Sequence, residues 1–142
     1  MSELVEIRTY DGEGYKPLVD FGTWRVAFLR FLDELIPENI IRAEKHLETD
    51  EVFVLLYGQA VLLLGQGDER VEAYETYTMQ PGLLYNVKAA AWHNVLMSRD
   101  AVILLVENND TRAANSAYYT LTPEQRAFLC QTARELLPQT WE

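Results

Sequence analysis

The residues of this sequence with the most distinctive chemistry are its only two histidines, His46 and His93, together with two glutamates near the first of them. Glu44 precedes His46 by two positions, and Glu51 follows it by five. Two imidazoles with one or two carboxylates form a mixed nitrogen and oxygen donor set that suits manganese, iron, nickel or zinc. The neutral imidazole supplies a nitrogen, and the carboxylates offset part of the charge of a divalent ion.

These four side chains can converge only if they lie on strands of a curved sheet. Alternate side chains of an extended strand share a face, so Glu44 and His46 point the same way if residues 42–47 are extended. Glu51 begins the next apolar segment of the chain, and His93 begins another. If the sheet closes into a barrel, all four side chains reach one end of its interior.

Short apolar segments alternate with turn signals along the first three quarters of the chain. Gly58-Gln59 separates two of these segments and predicts a β-hairpin. Residues 23–28 alternate as a strand that we expect to end near Phe31, before a turn of helix. The other predicted strands span residues 52–57, 60–64, 71–78, 83–87, 93–97 and 102–107. Many short strands with regularly spaced turns predict a β-sandwich or barrel.

The C-terminal part of the sequence departs from the strand pattern and predicts one α-helix over about residues 122–137. Thr122 suits the N-cap, Pro123 suits the first helical position, and Gln125 completes a capping box. An apolar stripe at helical spacing follows these residues. We expect this helix to pack on the outside of the sheet or on a partner subunit.

Length, charge and composition limit the architecture and the partners. A chain of 142 residues suits one domain, predicted to span residues 1–142 with a barrel core over about 19–108. The net charge of −10 repels phosphate backbones and argues against nucleic acid as a partner. The single cysteine excludes an intrachain disulfide and a zinc site made of thiolates. Without a long apolar span or a secretory signal, we expect a cytoplasmic protein and no membrane partner.

The stretch around His46 resembles the first motif of the cupins. That motif has the form HxH, three or four residues, Glu, six residues and Gly. In this sequence Glu44-Lys45-His46 is followed by four residues, then Glu51, six further residues and Gly58. Glu44 therefore stands where the first histidine of the motif is expected.

The stretch around His93 resembles the second cupin motif, which has the form Gly, five residues, PxG, two residues, His, three residues and Asn. Gly82 and His93 match it, whereas Lys88, Ala90 and Met97 replace the proline, the second glycine and the asparagine. The resemblance covers roughly residues 40–107. The segments "HLETDEVFVLL", "YNVKAAAWHNV" and "ILLVENND" are similar to a group of small, uncharacterised single-domain bacterial cupins.

The resemblance implies an all-β, cupin-type jelly-roll barrel or sandwich with one C-terminal α-helix. It also implies that His46, Glu51 and His93 ligate a divalent transition metal (Mn, Fe, Ni or Zn). Three roles stay open for Glu44: it is a fourth ligand, it marks a degraded metal site, or it acts as a general base beside a three-ligand ion. Small cupins often form homodimers by pairing sheets or exchanging N-terminal strands, so we expect a homodimer.

Three further residues are candidates for lining a ligand pocket near the predicted ligands. Phe53 follows Glu51 on the same strand face, Met97 lies on the same face as His93, and Tyr85 lies on another strand. Trp92 precedes His93 and is expected on the opposite face, as a packing residue.

Two charged parts of the sequence, a single arginine and a tetrapeptide, are interpreted as structural and not as parts of a binding site. Arg25 lies in a predicted strand and is expected to form a surface salt bridge in this acidic protein. Glu107, Asn108, Asn109 and Asp110 follow an apolar segment, and we interpret them as a turn and not as a cation site.

Two functions are consistent with these observations. The first is a metal-dependent enzyme that acts on a small, polar, possibly carbohydrate-like molecule. The second is a non-enzymatic binding module or structural dimer in which the metal site is eroded. The spacing of His46, Glu51 and His93 agrees with the family motifs and favours the first function. The missing first histidine favours the second.

Overall fold

The computed structural model describes residues 4–138, and this part of the chain forms ten β-strands and one α-helix. Three short 3-10 turns connect some of these elements. The strands and the helix have the following bounds: β1 Gly14–Phe21, β2 Trp24–Arg30, β3 Arg42–His46, β4 Glu51–Tyr57, β5 Ala60–Gln66, β6 Ala73–Thr78, β7 Tyr85–Val87, β8 Trp92–Met97, β9 Val102–Asn108, β10 Ser116–Thr120 and α1 Pro123–Leu136.

The strands form two five-stranded antiparallel sheets. Sheet A has the order β1-β2-β9-β4-β7, and sheet B has the order β10-β3-β8-β5-β6. Strands that are distant in sequence are therefore neighbours in space: β9 lies between β2 and β4, and β8 lies between β3 and β5. The predicted all-β class with one C-terminal helix is confirmed.

The main hydrophobic core lies between the inner faces of the two sheets. Alternation along each strand directs every second side chain into this core. Sheet A contributes Phe53 and Leu105, which are 3% exposed, and sheet B contributes Leu62 and Met97. Burying side chains of this size stabilises the fold by about 1.5–3 kcal/mol each.

Helix α1 covers the outer face of sheet B, as the sequence predicts. Leu129 and Ala133 belong to a second buried cluster that also contains Trp92, Val61 and Leu63 of sheet B. The predicted capping box is present: the Thr122 hydroxyl accepts from the Gln125 amide at 3.1 Å, and Gln125 Oε1 accepts from the Thr122 amide at 2.9 Å. Within the described part of the chain, no helix is long and apolar enough to cross a membrane.

Four strands differ from the sequence-based expectation. The sequence predicts neither β1, which pairs with β2 at the edge of sheet A, nor β10, which pairs with β3 at the edge of sheet B. The predicted strands 71–78 and 83–87 begin later, at Ala73 and Tyr85. Leu83 and Leu84 belong to the turn before β7 and are 48% and 74% exposed. Apolar composition predicted them as strand residues, but without a neighbouring strand their backbone joins no sheet.

Gly58 connects β4 to β5 in the predicted hairpin and leaves no space for a side chain. Its φ is +76°, a left-handed conformation that glycine adopts without strain. A Cβ atom added there would lie 2.6 Å from the Cα atom of Ala101. The sequence-predicted turn glycine is therefore also a close-packing position against the loop before β9.

We expect Gly58→Ala to lower the free energy of unfolding by about 2–5 kcal/mol, from about 1–2 for the left-handed backbone and about 1–3 for the overlap. Gly22→Ala is the matched control, because Gly22 has φ +58° and no atom within 4 Å of an added Cβ. Gly22→Ala should lower the free energy of unfolding only by the backbone contribution, about 1–2 kcal/mol. Urea denaturation of both variants measures the difference, and equal losses would show that packing at Gly58 is unimportant.

Candidate metal centre

Three strands bring the four predicted ligand residues to one end of the space between the sheets. β3 carries Glu44 and His46, β4 carries Glu51, and β8 carries His93. β3 and β8 are neighbours in sheet B, where Glu44 and His93 are paired in register, and β4 approaches from sheet A. Glu51 and His93 are buried, His46 is nearly so, and the Glu44 side chain is 43% exposed.

Both imidazoles direct Nε2 toward the same carboxylates. Nε2 of His46 and Nε2 of His93 each lie 3.4 Å from Oε1 of Glu51. Each also lies 3.9 Å from Oε1 of Glu44. The ring centroids of the two histidines are 5.4 Å apart. The convergence expected from the sequence is present in the structure.

The other ring nitrogen of each histidine determines which tautomer is present. His93 Nδ1 lies 3.1 Å from the carbonyl oxygen of Ala91, which can only accept a hydrogen bond. His46 Nδ1 lies 2.9 Å from the hydroxyl of Ser116, whose proton is donated to the carbonyl of Arg112 at 2.8 Å. Both Nδ1 atoms therefore carry a proton, and each ring, when it is neutral, presents its Nε2 lone pair to the cluster. Metal-binding histidines are oriented in this way.

Positive charge is needed where the histidines meet the carboxylates of Glu44 and Glu51, because negatively charged groups otherwise face one another. Burial disfavours protonation of His46 and His93, but the hydrogen bond to Glu51 and its charge, with that of Glu44, outweigh it and raise both pKa values. Burial would raise the pKa of Glu51, yet the two histidines lower it below the ordinary value. In the metal-free protein, protons on the histidines supply the positive charge.

Glu107 is a fifth member of this cluster; it lies within the predicted strand 102–107, and its interpretation as part of a turn is wrong. It lies on β9, where alternation places it on the inner face with Ile103 and Leu105, and its side chain is 3% exposed. Its Oε1 is 3.9 Å from Nε2 of His46. The inward alternation of residues 103, 105 and 107 was a signal in the sequence that could have identified it.

Arg25 and Tyr15 hold one oxygen of Glu107. Oε2 accepts the Tyr15 hydroxyl at 2.6 Å and Arg25 Nη2 at 3.0 Å. The predicted salt bridge of Arg25 exists, but it is not on the surface, since the Arg25 side chain is only 18% exposed. β1 and β2 bring these two residues to the site, and no motif in the sequence marked them.

The donor groups fit a metal ion. Ligand atoms of Glu44, His46 and His93 lie within 4.8 Å of one another, and so do those of His46, Glu51 and Glu107. Oε1 of Glu107 is buried and has no hydrogen-bond partner within the described residues. Such an unpaired buried polar atom costs about 1–3 kcal/mol, and more when charged. A bound cation would remove this cost.

A cavity of about 650 Å³ extends from the cluster toward solvent. Phe53 lines it, as predicted, and its ring contacts His93 edge-on. The expectation for Met97 and Tyr85 is wrong. Met97 is fully buried in the core, and the Tyr85 hydroxyl instead accepts the backbone amide of Gln80 at 2.9 Å. Met97 instead packs within the hydrophobic core cluster.

Comparison with protein-family models finds no match, and comparison with curated proteins finds no significant one. Among solved structures, the Streptomyces nucleoside dehydratase Pac13 has 11% identity and a TM-score of 0.55, covering 82% of this chain and 87% of that chain. The QdtA 3,4-ketoisomerase from Thermoanaerobacterium thermosaccharolyticum, in complex with TDP, has 15% identity and a TM-score of 0.53, covering 82% and 77%.

Fe(II) HppE is a third similar structure, with 14% identity and a TM-score of 0.51, covering 66% of this chain and 48% of that chain. These neighbours have cupin-type folds. At such low identity the similarity concerns the arrangement of the strands and carries no information about the reaction.

We expect both histidines of the metal-free protein to titrate above pH 6.5, and Glu51→Gln to lower both pKa values because burial then acts unopposed by the carboxylate. NMR titration of the imidazole protons in the presence of a chelator measures this. Glu69→Gln removes an exposed carboxylate far along the chain and should leave both values unchanged. Histidine pKa values that do not respond to Glu51→Gln would contradict the described contacts.

Proposed function

Since the chain has a cupin-type fold, we propose that it binds one divalent transition metal at the inner end of the cavity through His46, Glu51 and His93. The observation that carries this proposal is the convergence of both histidine Nε2 atoms on Oε1 of Glu51, at 3.4 Å each. Both Nδ1 atoms lie within hydrogen-bond distance of an oxygen, so Nε2 is the ring nitrogen that each histidine directs at the cluster. Manganese, iron, nickel and zinc all accept such a set of nitrogen and oxygen ligands.

The cavity beside the ion would hold a small molecule. Its walls include Leu29, Leu35 and Val95, and its opening includes Asn39 and Arg42. A small ligand with a polar group would place that group at the cluster and its remaining atoms along these walls. Pac13 was solved with uridine and QdtA with TDP, so folds of this type accommodate small polar ligands, consistent with this proposal.

The proposed activity is that of a metal-dependent enzyme. A divalent ion at this position would act as a Lewis acid on an oxygen of the ligand. His46, Glu51 and His93 would hold the ion, and Glu44, partly exposed at the rim, would face the ligand. A non-enzymatic binding module is the second candidate, because Glu44 replaces a family histidine and no hydrogen bond holds its side chain among the described residues.

Protein purified without a histidine tag should contain close to one transition-metal ion per chain by elemental analysis. The double variant His46→Ala/His93→Ala should lose the ion and still fold, because neither residue belongs to the hydrophobic clusters. Added Mn²⁺, Fe²⁺, Ni²⁺ or Zn²⁺ should raise the melting temperature of the stripped wild type but not of the double variant. A wild type that contains no metal and does not respond to any of the four ions would refute the proposal.

We also propose that two copies of the chain associate through the outer face of sheet A. The centre of this face consists of six apolar side chains that are paired across strands: Val26, Phe28, Leu104, Val106, Val52 and Val54. Helix α1 covers the other sheet, not this one. The apolar centre of this face brings no like charges of the two acidic chains together, and sheets pack well face to face at about 10 Å.

Leu104→Glu should convert the dimer to a monomer, because two carboxylates would be buried at the centre of the interface. Leu136→Glu introduces the same change at an exposed residue of helix α1, on the side of the other sheet, and it should leave the dimer intact. Sedimentation equilibrium measures the mass of each variant. A monomeric wild type, or an equal effect of the two substitutions, would contradict this interface.

A further inference from the structure

We propose that Glu107, which lies outside both motif-like stretches, is the fourth protein ligand of this metal, and that Arg25 and Tyr15 position it. This inference rests on the metal site proposed above and names its ligand set. It assigns the role of the missing motif histidine to a residue of sheet A, and it makes Glu44 a rim residue.

The first argument is the state of the Glu107 carboxylate. Arg25 and Tyr15 both bind Oε2, at 3.0 and 2.6 Å, and fix the orientation of the group. The other oxygen, Oε1, is buried without a partner among the described residues and lies 3.9 Å from Nε2 of His46. A carboxylate held by one oxygen, with the other directed at an imidazole nitrogen, is preorganised for a cation.

The second argument is the position of Glu107 in the sheet. Val52 and Val106 are paired in register, so Glu51, which precedes Val52, lies beside Glu107, which follows Val106. Like charges at adjacent positions of neighbouring strands are destabilising unless something compensates them. An ion between these carboxylates and the two histidines would have two oxygen ligands from sheet A and two nitrogen ligands from sheet B.

The comparison with Glu44 favours Glu107. Both carboxylates lie 3.9 Å from Nε2 of His46, and Glu44 also lies 3.9 Å from Nε2 of His93, so the case for Glu107 rests on burial and not on distance. The Glu44 side chain is 43% exposed, whereas the Glu107 side chain is 3% exposed and held by two donors. An exposed carboxylate keeps its hydration and its rotamer freedom, and it must give up both to bind an ion.

The charges of the cluster also agree with this ligand set. Glu51 and Glu107 together offset the double charge of the ion. Arg25, which is paired with Glu107, adds one positive charge, and Glu44 at the rim adds the third negative charge, where solvent reduces the cost of a carboxylate. With the two neutral imidazoles the whole group is close to electroneutral, as a buried group needs to be.

Cobalt(II) is a suitable probe, because its visible absorption reports the ligands while calorimetry gives the affinity. We expect Glu107→Gln to weaken Co²⁺ binding by about tenfold or more and to change the absorption band. Tyr15→Phe keeps the carboxylate but removes one of the two donors that hold Oε2, and it should weaken binding severalfold. Glu44→Gln should weaken it less than Glu107→Gln does. Glu34→Gln removes an exposed carboxylate at the cavity and is the control for charge alone.

The outcomes separate this inference from the metal site itself. A wild type that does not bind Co²⁺ refutes both. A wild type that binds Co²⁺, with a Glu107→Gln variant of unchanged affinity and spectrum, refutes only the role of Glu107. The same conclusion follows if Glu44→Gln causes the larger loss. If Glu107→Gln does not fold, Glu107→Asp keeps the charge but shortens the side chain, and unchanged Co²⁺ affinity and spectrum in that variant would equally overturn the inference.

Discussion

Electrostatic repulsion among buried carboxylates is the constraint on which this structure depends. Glu51 and Glu107 lie side by side in the interior, and Glu44 stands at the rim of the same space. Such groups cannot all remain ionised in a medium of low dielectric constant without positive charge between them. Arg25 supplies part of that charge from β2. The rest of the positive charge comes from the histidines as imidazolium ions, or from a metal ion bound by the neutral imidazoles.

The hydrophobic architecture makes this arrangement possible. Inward-facing apolar side chains pack the two sheets together over most of their area, and the polar cluster occupies one end. Helix α1 seals the outer face of sheet B, so the strands that carry Glu44, His46 and His93 are supported from behind. The packing energy of the core therefore offsets the cost of bringing the polar groups together, and it restricts their movement.

The fold and the site give different kinds of information about function. Neighbours with the same strand arrangement include a nucleoside dehydratase and a ketoisomerase, at 11% and 15% identity. A shared cupin-type fold does not determine a reaction, because the reaction depends on the side chains at the site. In this chain those side chains include three carboxylates and two imidazoles. This set is more acidic than the cupin motifs imply, because Glu44 stands at the position of a motif histidine and Glu107 lies outside both motif-like stretches.

Local patterns in the sequence by themselves determined the β class, the hairpin at Gly58, the capped helix and the convergence of His46, Glu51 and His93. The first three follow from alternation, turn residues and caps, which are properties of neighbouring residues, whereas the convergence was implied by the resemblance of two stretches to the cupin motifs. Only the tertiary structure decided that β9 lies between β2 and β4, and hence that Glu107 meets Arg25, Tyr15 and His46. Strand order depends on packing between segments up to 92 residues apart, and a local pattern contains no record of it.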